Sequence, residues 1–203
     1  MLITVILSGM QVSKYSGNHH KMKEVYAIID FFYAPDDPAR KILLEHSIQV
    51  REKALQIAEK FDGVDRELIA AGAMLHDIGI RFCNAPDIGC FGSEDYLLHG
   101  ILGAENLRAM NCRNAEKLAR ICERHTGSGI SAAEITARKL PLPEKDFFPE
   151  TMEEKIICLA DKFFSKSADM QEKSIDVIRK GMLKFGDDSL ARFDKLCSEL
   201  YFK

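Results

Sequence analysis

The chain has no cysteine pair at CxxC spacing, no surplus of basic residues and no apolar run long enough to span a bilayer. Each absence removes a class of protein. The six cysteines, at 83, 90, 112, 122, 158 and 197, lack the paired spacing of a zinc ribbon or a dithiol motif. Several lie in apolar helical stretches, such as Ile156-Ile157-Cys158-Leu159, where a thiol packs as a small hydrophobe. Reduced thiols and a cytoplasmic location are therefore expected. Lys and Arg number 28 against 31 Asp and Glu, a formal charge of -3, so no nucleic-acid-binding surface is expected. Any phosphate recognition falls to a local pocket. The first ten residues, MLITVILSGM, are too short to cross a membrane. They also lack the basic start and cleavage site of a secretory signal, and no membrane association is expected. No internal repeat, low-complexity tract or interdomain linker is visible.

What remains is a 203-residue chain, 46% hydrophobic, which suits one packed domain. Residues 1–22 read as a mobile extension, apolar and then polar, and 23–203 as the folded domain. Translation from Met22 is an alternative that the intact mass of the native protein decides. The pattern beyond it is all-α, a single-domain helical bundle, with no alternating strand signal. A short helix covers 23–33. Asp37 and Pro38 open the next, which places Leu43, His46, Val50, Ala54, Ile57 and Phe61 on one inward face. Gly63 ends it, and Asp65 caps a helix running through Leu75 into His76-Asp77, with Ile78-Gly79 as its stop. Residues 80–97 read as irregular, and two helices follow over 99–110 and 113–125. A second long loop, 126–149, carries Pro141, Pro143 and Pro149, which forbid continuous helix. Thr151 and Glu154 form a capping-box signature for the helix that carries Ile157, Asp161 and Phe164. Two amphipathic helices, broken at Gly186-Asp187, fill 172–200.

Four of the six histidines fall in this helical framework: His46, His76, His99 and His125. A single inward histidine is more often a satisfied core residue than a ligand. Here Asp77 follows His76 directly, and Asp161 interrupts an apolar turn where an unpaired carboxylate is costly to bury. Imidazole mixed with carboxylate favours iron, manganese, cobalt or zinc over calcium or magnesium. Helical bundles build such sites in their interiors from several helices, and Asp77 is the natural carboxylate to bridge two ions.

The pattern resembles the HD superfamily of metal-dependent phosphohydrolases, defined by a His, an adjacent His-Asp and a later Asp. Those elements are His46 in Leu44-Glu45-His46-Ser47, His76-Asp77 in Leu75-His76-Asp77-Ile78-Gly79, and Asp161 in Leu159-Ala160-Asp161-Lys162. His99 and His125 match the two further histidines of the dinuclear branch. The likeness is to small single-domain HDIG proteins. It extends to bacterial diadenosine tetraphosphate hydrolases, which share the Leu-Ala-Asp-Lys turn. Many HDIG proteins carry Lys just after the glycine, where this chain has Ile80 and then Arg81. No Gly-Tyr-Pro signature of the cyclic-dinucleotide branch is present.

The resemblance implies two divalent transition-metal ions, iron or manganese first, with cobalt, nickel or zinc as alternatives. Their ligands would be His46, His76, Asp77, His99, His125 and Asp161. Catalytic roles fall to Asp77 and Lys162, and substrate contacts to Arg81, Arg124 and Lys166. A surface-facing charge is the bland reading of each of these cations. The implied reaction is attack of metal-activated water on a phosphate ester or anhydride, with a nucleotide or dinucleoside polyphosphate as the expected partner. Two alternatives stand beside it. One is a di-iron oxygenase on the same ligands, and the other is a non-catalytic nucleotide-binding regulatory module. No motif encodes the substrate or the oligomeric state.

Overall fold

The computed structural model describes residues 18–166 and 171–202. Nine helices form among them: α1 (Asn18–Phe32), α2 (Pro38–Ala58), α3 (Arg66–Leu75), α4 (His99–Met110), α5 (Ala115–Arg124), α6 (Ala132–Arg138), α7 (Met152–Lys162), α8 (Ile175–Leu183) and α9 (Asp187–Leu200). The all-α expectation holds. The helix expected from residue 23 begins earlier, at Asn18, and the rest of the expected extension, with Met1, lies outside the described residues.

Helix starts follow local chemistry. The Asp37 carboxylate accepts the Ala39 N–H at 2.9 Å with Pro38 next in line, and Asp65 accepts the Leu68 N–H at 2.9 Å. Thr151 and Glu154 close the capping box that opens α7. That helix is buried nearly all round: Ile156, Ile157, Cys158, Leu159 and Ala160 are fully enclosed. Each large aliphatic side chain there contributes about 1.5–3 kcal/mol of transfer free energy. α7 packs on α2, α3 and α5, while α4 lies along α5. The ends of α3, α4, α5 and α7 meet the middle of α2 in the interior.

Three local expectations need correction. α3 stops at Leu75, so His76 caps it and Asp77 sits beyond, before a 3-10 turn over Ile78–Phe82. Gly79 is not a left-handed stop. A Cβ there would lie 2.1 Å from the His99 carbonyl oxygen and 2.3 Å from the Gly103 nitrogen, so its hydrogen side chain lets the turn dock on α4. Residues 80–97 are not merely irregular: β1 (Asn84–Ala85) pairs antiparallel with β2 (Cys90–Phe91). The loop 126–149 contains α6, opened by a Ser131–Glu134 capping box and closed at Lys139 before Pro141 arrives. The prolines forbade helix only after Lys139. All six cysteines are free, and all but Cys112 are buried. No helix among the described residues is long and apolar enough to cross a membrane.

Candidate metal centre

Five helices deliver six side chains to one point. His46 comes from the middle of α2, His76 and Asp77 from just past α3, His99 from the first residue of α4, His125 from the end of α5 and Asp161 from the last turn of α7. None is more than 8% exposed. Asp77 faces two ways. Its Oδ2 lies 3.2 Å from His46 Nε2 and 3.1 Å from His76 Nε2. Its Oδ1 lies 3.5 Å from His99 Nε2 and 3.3 Å from His125 Nε2. Asp161 completes the first group, with Oδ1 3.0 Å from His46 Nε2 and 3.4 Å from His76 Nε2. Donor atoms about 2.0–2.2 Å from a shared ion stand at about such separations from one another. Two groups able to hold an ion result, His46–His76–Asp77–Asp161 and Asp77–His99–His125.

Backbone carbonyls set the rings. The Nδ1–H of His76 donates to Ala73 at 2.7 Å, that of His99 to Tyr96 at 2.6 Å and that of His125 to Cys122 at 2.8 Å. Each acceptor is three residues earlier, where a ring at a helix end folds back on its own turn. The proton is thereby held on Nδ1, and in the neutral ring Nε2 presents its lone pair to the centre. His99 Nε2 and His125 Nε2 are only 3.0 Å apart. Two lone pairs at that distance repel, and a cation between them removes the repulsion. Neither oxygen of buried Asp77 accepts a well-directed hydrogen bond, although the Lys166 ammonium stands 2.6 Å from Oδ2. These residues fit a divalent ion by chemistry as well as spacing.

The field differs across the centre. Burial opposes charge on His76, but the Asp77 and Asp161 carboxylates outweigh it and lift the imidazole to about 9. His99 goes the other way, pushed down to about 3 by burial and then by His125. His125 is lowered too, chiefly by burial. Burial also opposes ionisation of Asp77, but His76 and Lys166 hold it well below the usual carboxylate range. Asp161 is held low against burial by Lys162 and the facing histidines.

The HD domain family matches residues 43–165, the stretch that contains all six of these residues. The chain belongs to the HD domain family. Among its relatives are two proteins named tRNA (cytidine(56)-2'-O)-methyltransferase. That of Picrophilus torridus is 38% identical over 80% of this chain, and that of Thermoplasma volcanium is 32% identical over 79%. The chain spans only 42% and 43% of their respective lengths. An uncharacterised protein of Methanocaldococcus jannaschii is 38% identical over 71% of this chain and 78% of its own length. The crystal structure of the L. monocytogenes phosphodiesterase PgpH HD domain superposes with a TM-score of 0.47 at 16% identity, covering 86% of this chain and 96% of that one.

Around this HD centre the other candidate residues divide. Lys162 Nζ contacts Asp161 Oδ2 at 2.5 Å, and Lys166 contacts Asp77. Arg81 and Arg124 are engaged elsewhere. The Arg81 guanidinium pairs with Asp37 at 2.8 Å, and that of Arg124 pairs with Glu150 and donates to the Phe148 carbonyl, both at 2.7 Å. Sequence reasoning missed Tyr96, which supplies the carbonyl that orients His99 and whose ring centroid lies 4.9 Å from that of His99. Its only sequence signal is its place three residues before His99.

Proposed function

We propose that this HD domain is a metal-dependent phosphohydrolase acting on a small phosphorylated substrate, a nucleotide or dinucleoside polyphosphate. The observation that carries the reading is the sharing of Asp77, one oxygen to each of two imidazole groups. His46, His76, Asp77 and Asp161 would hold one ion, and Asp77, His99 and His125 the other. Iron or manganese suits this donor set first, then cobalt, nickel or zinc. Ions bound there supply Lewis acidity and lower the pKa of water toward neutrality. The chain's own residues do the positioning. The Ala73, Tyr96 and Cys122 carbonyls fix the rings, and the Lys162 and Lys166 ammonium groups put positive charge where phosphoryl oxygens gain negative charge. The Leu-Ala-Asp-Lys turn favours dinucleoside polyphosphates within this substrate class.

A second reading comes from the relatives' names: the domain serves as a module in tRNA methylation, either alone or joined to another part. The test is metal analysis of anaerobically purified protein, joined to a phosphate-release screen over mononucleotides and dinucleoside polyphosphates. Metal-dependent release is expected. Oxygen consumption without release would turn the assignment to an oxygenase. Methyl transfer to tRNA without release would favour the second reading.

A further inference from the structure

On α2, Gln49, Lys53 and Gln56 follow His46 at spacings of three, four and three, which keeps them on its face of the helix. Past the end of α7, Phe164 follows Asp161 by three. All four line one groove of about 620 Å³, together with Glu52 and Glu172. That volume lies within the roughly 300–1,000 Å³ of small-molecule sites. At about 1.5 Å per residue, Gln49 and Gln56 lie roughly 5 and 15 Å along the helix from His46. The span suits one small molecule that reaches from the groove to the centre.

The lining defines what the groove accepts. Among the described lining residues Lys53 is the one basic group, and its ammonium is already engaged. Its Nζ pairs with Glu172 at 2.5 Å and stands 4.4 Å from the Phe163 ring centroid. Glu52 adds negative charge, so the groove does not favour a phosphate of its own. It offers instead an aromatic ring and amides. Phe164 is half-buried and packs against the core, and Gln49 and Gln56 each carry both a donor and an acceptor. A phenyl face stacks on a flat heterocycle, and amides read a heterocycle's edge.

We propose that this groove binds the nucleobase of the substrate, with Phe164 stacking on the base and the Gln49 and Gln56 amides hydrogen-bonding its edge. The inference rests on the phosphohydrolase reading and deepens it. A base held beside the centre makes the substrate a nucleotide rather than a sugar phosphate or an inorganic polyphosphate.

The test uses the full, metal-loaded chain. Adenosine, cytidine and ribose are the probes in calorimetric titration. Hydrolysis is measured on AMP and diadenosine tetraphosphate, with ribose 5-phosphate and tripolyphosphate as base-free counterparts. The nucleosides should bind and ribose should not, and the nucleotide that is hydrolysed should have a KM at least ten-fold below its base-free counterpart. Phe164→Leu and Gln56→Ala should raise that KM roughly ten-fold, far more than they lower kcat, as loss of a contact remote from the reacting phosphate does. Metal content should match that of the unsubstituted protein in both. Gln56 is exposed, so its variant reports on the groove even where Phe164→Leu disturbs packing. Equal KM with and without a base would overturn the inference and leave the phosphohydrolase reading standing. So would an unchanged nucleotide KM in both variants. If no phosphate ester or anhydride is hydrolysed, the phosphohydrolase reading falls and the groove's assignment with it, whichever nucleosides bind.

Discussion

On the Oδ2 side of Asp77, His46 and His76 face a second carboxylate, Asp161, and two ammonium groups stand close by. On the Oδ1 side, His99 and His125 face each other, and among the described residues the group contains no second acid. The same imidazole chemistry therefore sits in opposite fields. His76 is drawn up to about 9 and His99 is driven down to about 3. One side attracts cations of any kind, protons and lysines included. The other side is held neutral and relies on the shared Asp77 for its negative charge. The first should hold its ion more tightly, and the second should lose its ion first.

The sharpest way to break this comparison is at the shared residue. Asp77→Asn should abolish activity and strip both ions, whereas Asp161→Ala should remove the ion of the Oδ2 side and activity with it. Elemental analysis of both variants checks this, and full metal occupancy in Asp161→Ala would overturn the ligand assignment. Chelation of the unsubstituted protein should likewise lower the melting temperature, because the ions bind only the folded arrangement.

A smaller effect is expected on the weaker side. His99→Ala or His125→Ala should leave about one ion per chain and a largely intact fold, since the other group stands without them. Counting ions in the fully loaded unsubstituted protein is the control. A single ion there would end the two-site description.

Next comes Lys162, which touches Asp161 but is absent from both ligand groups. Lys162→Ala should retain its metal and lose catalytic efficiency by roughly one to three orders of magnitude, as a charge-stabilising group does. Full activity would remove it from the site.

The smallest effect is on the pH dependence of the chelated protein. His76, raised from 6.5 to about 9, contributes stability that is complete below pH 6.5 and is lost as pH rises through 9. His99, lowered from 6.5 to about 3, contributes stability that is complete above pH 6.5 and is lost as pH falls toward 3. Melting temperature should therefore peak near pH 6.5. His99→Gln should flatten the acid limb and His76→Gln the alkaline one, and a curve unchanged by both would show that the two fields do not differ.

Much of this centre was legible in the residue order. The His46, His76-Asp77 and Asp161 elements name the HD family because each sits in a local apolar or capped context that the sequence displays. Asp37, Asp65 and the Thr151–Glu154 box marked helix starts because capping is decided within one turn. The helix start at Ser131–Glu134 carries the same local signal, but the three prolines that follow it dominate the pattern of that stretch. Gly79 looks like a helix stop in the sequence because its neighbour across space, the His99 carbonyl, is not its neighbour along the chain.

The sequence by itself determined the all-helical class, the family and which His and Asp residues are candidates for the centre, since periodicity, caps and the His-Asp pattern are local or ordered along the chain. Only the tertiary structure decided that Asp77 turns one oxygen to each side, that Lys166 rests on it while Arg81 and Arg124 pair elsewhere, and that the Tyr96 carbonyl orients His99. Those outcomes depend on where four helix ends meet the middle of α2. Contacts between residues tens of positions apart are set by packing in three dimensions, and no spacing along the chain encodes them.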